Sequence, residues 1–156
     1  ITTPIIMKLL EDKINLKSIT VMVQKEVAKR LTETPGGKET GSITYSINYY
    51  TDAKLILEVS KECFIPSPKV DSAIIKLDLL KTPRIKLENE ELFFKIIKSA
   101  FLQKRKTLIN SLSNSGIKDK IYLENLLNEL NIDIKIRAEQ LTLEDFAKIS
   151  NILNEA

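Results

Sequence analysis

The first 80 residues alternate between helical and strand patterns of apolar side chains. Apolar residues at helical spacing predict a helix over 4–13. The run SITVMV (18–23) is short and rich in β-branched residues, which favours a strand buried on both faces, as in a parallel sheet. A helical pattern returns over 24–32. The order helix, strand, helix predicts a layered α/β structure.

A short helix and two more strands follow. Ile43, Ile47 and Tyr50 lie at helical spacing, which predicts a helix over 43–52, and residues 53–60 read as a strand. Residues 70–80 alternate strictly, so one face of this strand carries Ala73, Ile75, Leu77 and Leu79. Because the last two strands are close in sequence, they can pair antiparallel.

Beyond residue 80 the pattern changes to helices. Residues 81–90 are polar and read as a linker. One long helix is predicted over 90–113, and two more over 119–130 and 142–154. The apolar stripe of the long helix consists of Phe94, Ile97, Phe101, Leu108 and Leu112.

Composition excludes several kinds of chemistry. The chain of 156 residues has no histidine, so a Ser-His-Asp triad and His-based metal sites are excluded. Its one cysteine excludes an internal disulfide, and Cys63 is expected to be a small buried hydrophobe. No apolar run approaches the roughly 18 residues that a membrane span needs. The chain begins at Ile1 rather than at Met, which we interpret as the start of a fragment.

Charge is uneven along the chain. The formal charge is +1 over residues 1–80, +6 over 81–120 and −4 over 121–156. The basic block is typical of a surface that faces a polyanion such as nucleic acid. A solvated, lysine-rich helix is the alternative reading, and charge alone does not decide between the two.

The stretch FIPSPK (64–69) places an aromatic residue beside two prolines. Proline fixes its own φ and makes the residue before it extended, so we expect a stiff, polyproline-like strut that holds Phe64 near the sheet edge. A rigid aromatic at a loop suits stacking on a planar ligand such as a flipped base. The alternative is that Phe64 caps the core and the prolines only end a connection.

Five stretches carry a resemblance to a known family. FIPSPKVDSAII resembles the F-x-P-x-P-K-V-D-S-A motif of the ribosomal RNA adenine N6,N6-dimethyltransferases of the 16S type. AFLQKRKTLINSL (100–112) and RAEQLTLEDFAKISN (137–151) are similar to that family's later motifs. VMVQKEVAKRL (21–31) and GSITYSINYY (41–50) match in order and spacing. The erythromycin-resistance methyltransferases of 23S rRNA share the first motif but fit the helical tail less well.

The resemblance implies an α/β fold: the C-terminal part of a Rossmann-type methyltransferase sheet (1–82), followed by a small all-α, RNA-binding domain (83–156). In this family S-adenosylmethionine binds on N-terminal strands, and an Asn-Leu-Pro-Tyr motif precedes a segment like ITTPI. Neither feature is in this sequence. The chain is therefore expected to be the C-terminal portion of a dimethyltransferase and inactive alone.

The resemblance also implies roles for particular residues. Phe64 would stack on the target adenine, and the residues that would contact RNA phosphates are Lys69, Lys104, Arg105 and Lys106. The partner would be 16S rRNA of the small ribosomal subunit, methylated in the cytoplasm at two adjacent adenines near its 3′ end, with no membrane and no metal. The alternative function is a non-catalytic RNA-binding or ribosome-assembly module. A truncated sheet would also expose an edge, through which a non-native dimer can form.

Overall fold

The computed structural model describes residues 2–156. In the first half, the elements are α1 (Thr2–Glu11), β1 (Ser18–Gln24), α2 (Lys25–Thr32), α3 (Ser42–Tyr50), β2 (Thr51–Val59) and β3 (Ser72–Leu79). In the second half, they are α4 (Glu90–Ala100), α5 (Leu108–Asn114), α6 (Lys120–Glu129) and α7 (Leu143–Glu155). Single turns of 3₁₀ helix lie at Lys61–Cys63 and Ala138–Gln140. No helix among the described residues is both long and apolar enough to cross a membrane.

The three strands form an antiparallel sheet in the order β1-β3-β2. Val21 of β1 lies opposite Ile75 of β3, and β2 pairs on the other side of β3 with an irregularity between Leu55 and Leu57. The α/β class and the antiparallel pairing of β2 with β3 are therefore confirmed.

The prediction for β1 is wrong in two respects. This strand runs antiparallel to its neighbour, and only one of its faces is buried. Ile19 and Val23 point into the core, whereas the side chain of Met22 is 48% exposed. A short apolar run predicts a strand, but it does not predict whether one or both faces of that strand are covered. Here the helices pack on one face. The non-native dimer through an exposed edge of the truncated sheet stays a prediction.

The alternation along β3 is confirmed. Ala73, Ile75 and Leu77 are fully buried, and Leu79 is half-buried on the same face. Residues of the opposite face are only half-buried. A period of two therefore identified the core side of this strand correctly.

Helix α3 joins two hydrophobic cores. One core lies between the sheet and α1, α2 and α3, and it includes Ile47. The other lies among α4 to α7 and includes Tyr45 and Tyr49, from the same helix α3. The single proton of the Tyr45 hydroxyl is shared between the carbonyl oxygens of Ala138 at 2.9 Å and Leu141 at 2.7 Å. These contacts attach the sheet layer to the helical residues.

The segment between β3 and α4 has no regular structure, as predicted, but it is tied to the sheet. Arg84 Nε donates to the Asn48 carbonyl oxygen at 2.8 Å, and its Nη2 donates to the Thr51 carbonyl oxygen at 2.9 Å. The same guanidinium pairs with Asp52. The linker therefore packs against the end of α3 and the start of β2.

The long helix predicted over 90–113 is wrong, because the chain breaks between Ala100 and Leu108. Thr107 caps α5 by accepting a hydrogen bond from the Asn110 N–H at 3.3 Å. The Leu108 N–H donates to the carbonyl oxygen of Ile136 at 2.8 Å. A continuous helix would use this N–H internally, so a contact with a residue far along the chain decides the break.

Candidate functional site

The connection from β2 to β3 (residues 60–71), here called the β2–β3 loop, lies at one end of the sheet. Val59 at the end of β2 and Gln24 at the end of β1 both lie opposite Ser72 at the start of β3. The Lys25 N–H, at the start of α2, donates to the Asp71 carbonyl oxygen at 3.0 Å. This loop and the beginning of α2 are therefore neighbours.

Hydrogen bonds among its own residues close the β2–β3 loop. The Asp71 carboxylate accepts from the Lys61 N–H at 2.8 Å, and the Ser67 hydroxyl donates to the Lys61 carbonyl oxygen at 2.9 Å. Ser60 caps the 3₁₀ turn by accepting from the Glu62 N–H at 3.2 Å. The Ile65–Pro66 peptide bond is cis. The predicted polyproline-like strut is therefore a tight, folded-back loop, because Ser67 bonds back to the turn.

Phe64 follows the 3₁₀ turn in extended backbone conformation, and its ring is half-buried. It does not belong to either buried core cluster. Its neighbour Cys63 is exposed, so the expectation of a buried cysteine is wrong. The reason is that Lys61–Cys63 form a surface turn without buried residues. A partly exposed ring on a hydrogen-bonded loop presents a fixed apolar surface that can stack on a planar base.

Lys69 lies on the β2–β3 loop and faces a cleft of about 500 Å³. Three more lysines line this cleft: Lys25, Lys29 and Lys61. Carboxylates balance part of their charge, since Lys25 Nζ pairs with Glu58 at 3.0 Å and Glu26, Glu39 and Asp71 also line the cleft. Sequence reasoning missed the three additional lysines, although the spacing of Lys25 and Lys29 on one helix face is a readable signal.

The basic triplet Lys104, Arg105 and Lys106 lies in the connection between α4 and α5 (residues 101–107), here called the α4–α5 loop. All three side chains are exposed. Two contacts outside the loop hold it: the Asn114 amide donates to Gln103 Oε1 at 2.9 Å, and Leu108 bonds to Ile136. The triplet therefore projects from a loop, whereas the sequence predicted that these residues belong to one long helix over 90–113.

The structure groups the predicted residues into two places. Phe64 and Lys69 share the β2–β3 loop, whereas Lys104 lines a second cleft of about 510 Å³ with Thr3, Phe101 and Glu139. Helix α2 borders both clefts, because Lys25 and Lys29 line the first and Arg30 lines the second. A chain of basic residues therefore runs along α2 between the two groups.

Three tyrosines at the junction of the two cores have raised pKa values. Burial raises the pKa of the Tyr45 hydroxyl well above its usual range, and the charges of Glu139 and Asp145 add to this. Burial also raises the pKa of Tyr49 and Tyr50, and both hydroxyls donate to the Glu90 carboxylate at 2.9 Å. These hydroxyls therefore remain protonated hydrogen-bond donors that hold the junction together.

The described residues do not fit a cradle for S-adenosylmethionine. No strand leads into a glycine-rich turn: Gly36, Gly37 and Gly41 lie between α2 and α3, and Gly116 follows α5. The space beside Gly37 is filled by Glu33, and the space beside Gly41 by Arg30. These two glycines therefore serve the packing of the chain itself. Among residues 2–156, no group of His, Cys, Asp or Glu could hold a metal ion.

The fold is similar to that of two solved structures. A dimethyladenosine transferase from Plasmodium falciparum superposes with a TM-score of 0.80 at 24% identity, covering 99% of this chain and 63% of that chain. The 23S rRNA methyltransferase ErmE superposes with a TM-score of 0.67 at 18% identity, covering 97% of this chain and 61% of that one. At these identities the likeness concerns the fold alone.

The sequence identifies the family. The family described as "Ribosomal RNA adenine dimethylase" matches residues 1–155, and the chain belongs to this family. The resemblance predicted from the five stretches is thus confirmed.

Curated relatives agree with this assignment. Proteins named "Ribosomal RNA small subunit methyltransferase A" from Bacillus pumilus (strain SAFR-032) and Alkaliphilus oremlandii (strain OhILAs) are 48% and 46% identical, over 100% and 98% of this chain. The chain covers 54% of each, so it spans about half the length of the curated relatives it matches.

Proposed function

We propose that this chain corresponds to the C-terminal portion of an S-adenosylmethionine-dependent methyltransferase. The enzyme would act in the cytoplasm on two adjacent adenines near the 3′ end of 16S rRNA. The observation that carries the proposal is the family match over residues 1–155, together with relatives named for the small ribosomal subunit. The methyl donor would bind in the other portion of the protein, so the residues described here act on the RNA.

In this proposal, Phe64 holds the target base. Methyl transfer to the N6 amino group requires that the amino nitrogen be aligned with the incoming methyl group. A ring fixed by the β2–β3 loop would stack on the flipped adenine and set its plane. The half-buried position of Phe64 outside both core clusters supports this role. Phe64 is thus proposed as the catalytic contact of this chain.

The basic side chains would hold the RNA backbone. Lys69 would contact a phosphate near the target base, and Lys104, Arg105 and Lys106 would contact phosphates farther along the RNA. Such contacts position the nucleic acid without reading its sequence. The exposure of the triplet on the α4–α5 loop supports this assignment. The proposed domains are 1–82 for base positioning and 83–156 for RNA binding.

The test compares the longer protein with the chain 1–156. The longer protein, given S-adenosylmethionine and small ribosomal subunits that lack the modification, is expected to produce N6,N6-dimethyladenine at two adjacent positions, measured by mass spectrometry of the rRNA. The chain 1–156 is expected to bind no S-adenosylmethionine in isothermal titration. If the longer protein binds the subunit but transfers no methyl group, the chain belongs instead to a non-catalytic RNA-binding or ribosome-assembly module.

A further inference from the structure

The most exposed large hydrophobic side chain among the described residues lies next to Phe64. Ile65 is 101% exposed, compared with 74% for Ile121, the next most exposed. It lies in the middle of the β2–β3 loop and contributes nothing to either hydrophobic core. A single exposed apolar residue is ordinary on a protein surface, so its position and setting have to carry any further conclusion.

The loop does not leave Ile65 free to fold back onto the protein. The bond from the Ser67 hydroxyl to the Lys61 carbonyl oxygen closes the loop around Phe64, Ile65 and Pro66. The bond from the Lys61 N–H to Asp71 anchors this closed loop to the start of β3. Because isoleucine is β-branched, its χ1 is also restricted. The backbone that carries Ile65 is therefore held in place, and its apolar side chain projects into solvent.

The surroundings of Ile65 match a nucleic acid better than another protein surface. The aromatic ring of Phe64 precedes it, and the lysines of the same loop, Lys61 and Lys69, line the cleft beside α2. Ile65 thus follows an aromatic residue on a loop that also carries two lysines, a combination that suits contact with a base and its flanking phosphates.

We propose that Ile65 is an apolar wedge for the RNA. It would pack on the base next to the adenine that stacks on Phe64, in the space that the flipped adenine leaves. Proteins that distort nucleic acids insert isoleucine and other apolar side chains between bases in this way. By covering the neighbouring base, the wedge makes the flipped state last longer. This inference rests on the proposed function, because it requires a base held out of its stack.

The test uses the longer protein and an RNA with 2-aminopurine in place of the target adenine. The fluorescence of this base rises when it leaves the stack, and the measurement needs no methyl transfer. At saturating RNA, Ile65→Ser is expected to lower the rise about fivefold, because the polar side chain buries little apolar area on the neighbouring base. Ile65→Val keeps a β-branched apolar side chain and is expected to retain most of the signal.

A matched control comes from helix α6. Ile121 is also exposed, at 74%, and lines neither of the two clefts. Ile121→Ser is expected to leave the fluorescence rise unchanged. An unchanged rise in Ile65→Ser would overturn the proposal. It would also be overturned if Ile65→Ser lowered the melting temperature of the RNA-free protein, since Ile65 would then pack against the protein itself.

The outcomes separate this inference from the proposed function. If the wild-type protein transfers no methyl group to rRNA, the proposed function fails. If the wild type methylates rRNA and Ile65→Ser shows the full fluorescence rise, only the wedge fails. A lower rise in Ile65→Ser, retained in Ile65→Val, supports the wedge.

Discussion

The β2–β3 loop, which carries Phe64, closes on itself, whereas the α4–α5 loop, which carries the basic triplet, is held from outside. In the first loop, Lys61 bonds to Ser67 and Asp71, all within twelve residues. Directly after the second loop, the Leu108 N–H at the start of α5 donates to the carbonyl oxygen of Ile136, 28 residues further along the chain. Apart from the bond from the Lys25 N–H to Asp71, the first loop therefore holds its shape through bonds between nearby residues, while the second depends on the packing of the helical residues.

This difference matches the demands of the two proposed tasks. A ring that stacks on the reacting base has to be placed to within a fraction of an ångström, because small displacements cost catalytic rate. Lysine and arginine side chains that contact phosphates act over longer distances and tolerate movement. The comparison predicts that changes in the β2–β3 loop affect the rate of methylation, and that changes in the α4–α5 loop affect RNA affinity.

The largest expected effect is that of Phe64→Ala in the longer protein. Loss of base stacking, worth about 1–3 kcal/mol, is expected to lower the single-turnover methylation rate roughly 5- to 150-fold. RNA affinity is expected to change little, because the phosphate contacts remain. Phe64→Tyr keeps the ring and serves as the control. Equal losses of rate and affinity in Phe64→Ala would mean that Phe64 has a structural role and that the two loops do not divide the tasks.

Tyr45→Phe is expected to destabilise the protein and, of the two loops, to disturb only the α4–α5 loop, because the Tyr45 ring lies beside Phe101 of that loop. Removing the hydroxyl leaves the buried carbonyl oxygens of Ala138 and Leu141 without this donor, at a cost of about 2 kcal/mol in the free energy of unfolding. Denaturant unfolding measures this loss. Amide exchange is expected to speed up over 101–107 and stay unchanged over 60–71. Faster exchange in both loops would contradict the comparison.

The same variant gives a pH dependence. The raised pKa of Tyr45 means that the folded state favours the protonated hydroxyl. Its stabilising contribution is fully present below the ordinary tyrosine pKa of about 10 and is lost as the pH rises above that value. The difference in unfolding free energy between wild type and Tyr45→Phe is therefore expected to narrow above about pH 10. If the difference in unfolding free energy stayed constant up to pH 11, the predicted contribution of the Tyr45 hydroxyl would be contradicted.

Reversing the charges of Lys104, Arg105 and Lys106 to Glu is expected to weaken RNA binding about tenfold at 0.1 M salt. The slope of log affinity against log salt is expected to become smaller by about 2–3, one counterion for each lost phosphate contact. The matched control carries the same charge change at three exposed lysines elsewhere: Lys120, Lys135 and Lys148. If the slope of log affinity against log salt were equal in both triple variants, the α4–α5 loop would not be part of the RNA interface.

The smallest effect is expected for Ser67→Ala. The variant removes one exposed hydrogen bond to the Lys61 carbonyl oxygen, worth less than about 1 kcal/mol. The methylation rate is expected to fall about twofold, because Phe64 is held less firmly, while RNA affinity stays the same. Ser72→Ala, at the start of β3, is the control. A loss of affinity without a loss of rate would reverse the tasks assigned to the two loops.

The parts of the candidate site that could be predicted from the sequence are those marked by local sequence signals. Two prolines and an aromatic residue marked the β2–β3 loop, so its place was predicted although its shape was not. The α4–α5 loop contains neither glycine nor proline. Its residues continue a helical pattern, and the pattern predicted a helix. Lys25 and Lys29 of α2 line the same cleft as Lys69 but are far from it in the sequence. Residue spacing therefore could not predict that these lysines lie together.

The sequence by itself determined the order of helices and strands as far as β3, the core face of β3 and the family. Apolar periodicity is a local property, and five collinear stretches are specific enough to identify relatives. The tertiary structure alone decided that β1 is antiparallel and covered on one face, and that the helix stops at Ala100. It also decided that Tyr45 joins the two cores. Each of these depends on hydrogen bonds or packing between residues far apart in the chain, which periodicity does not encode.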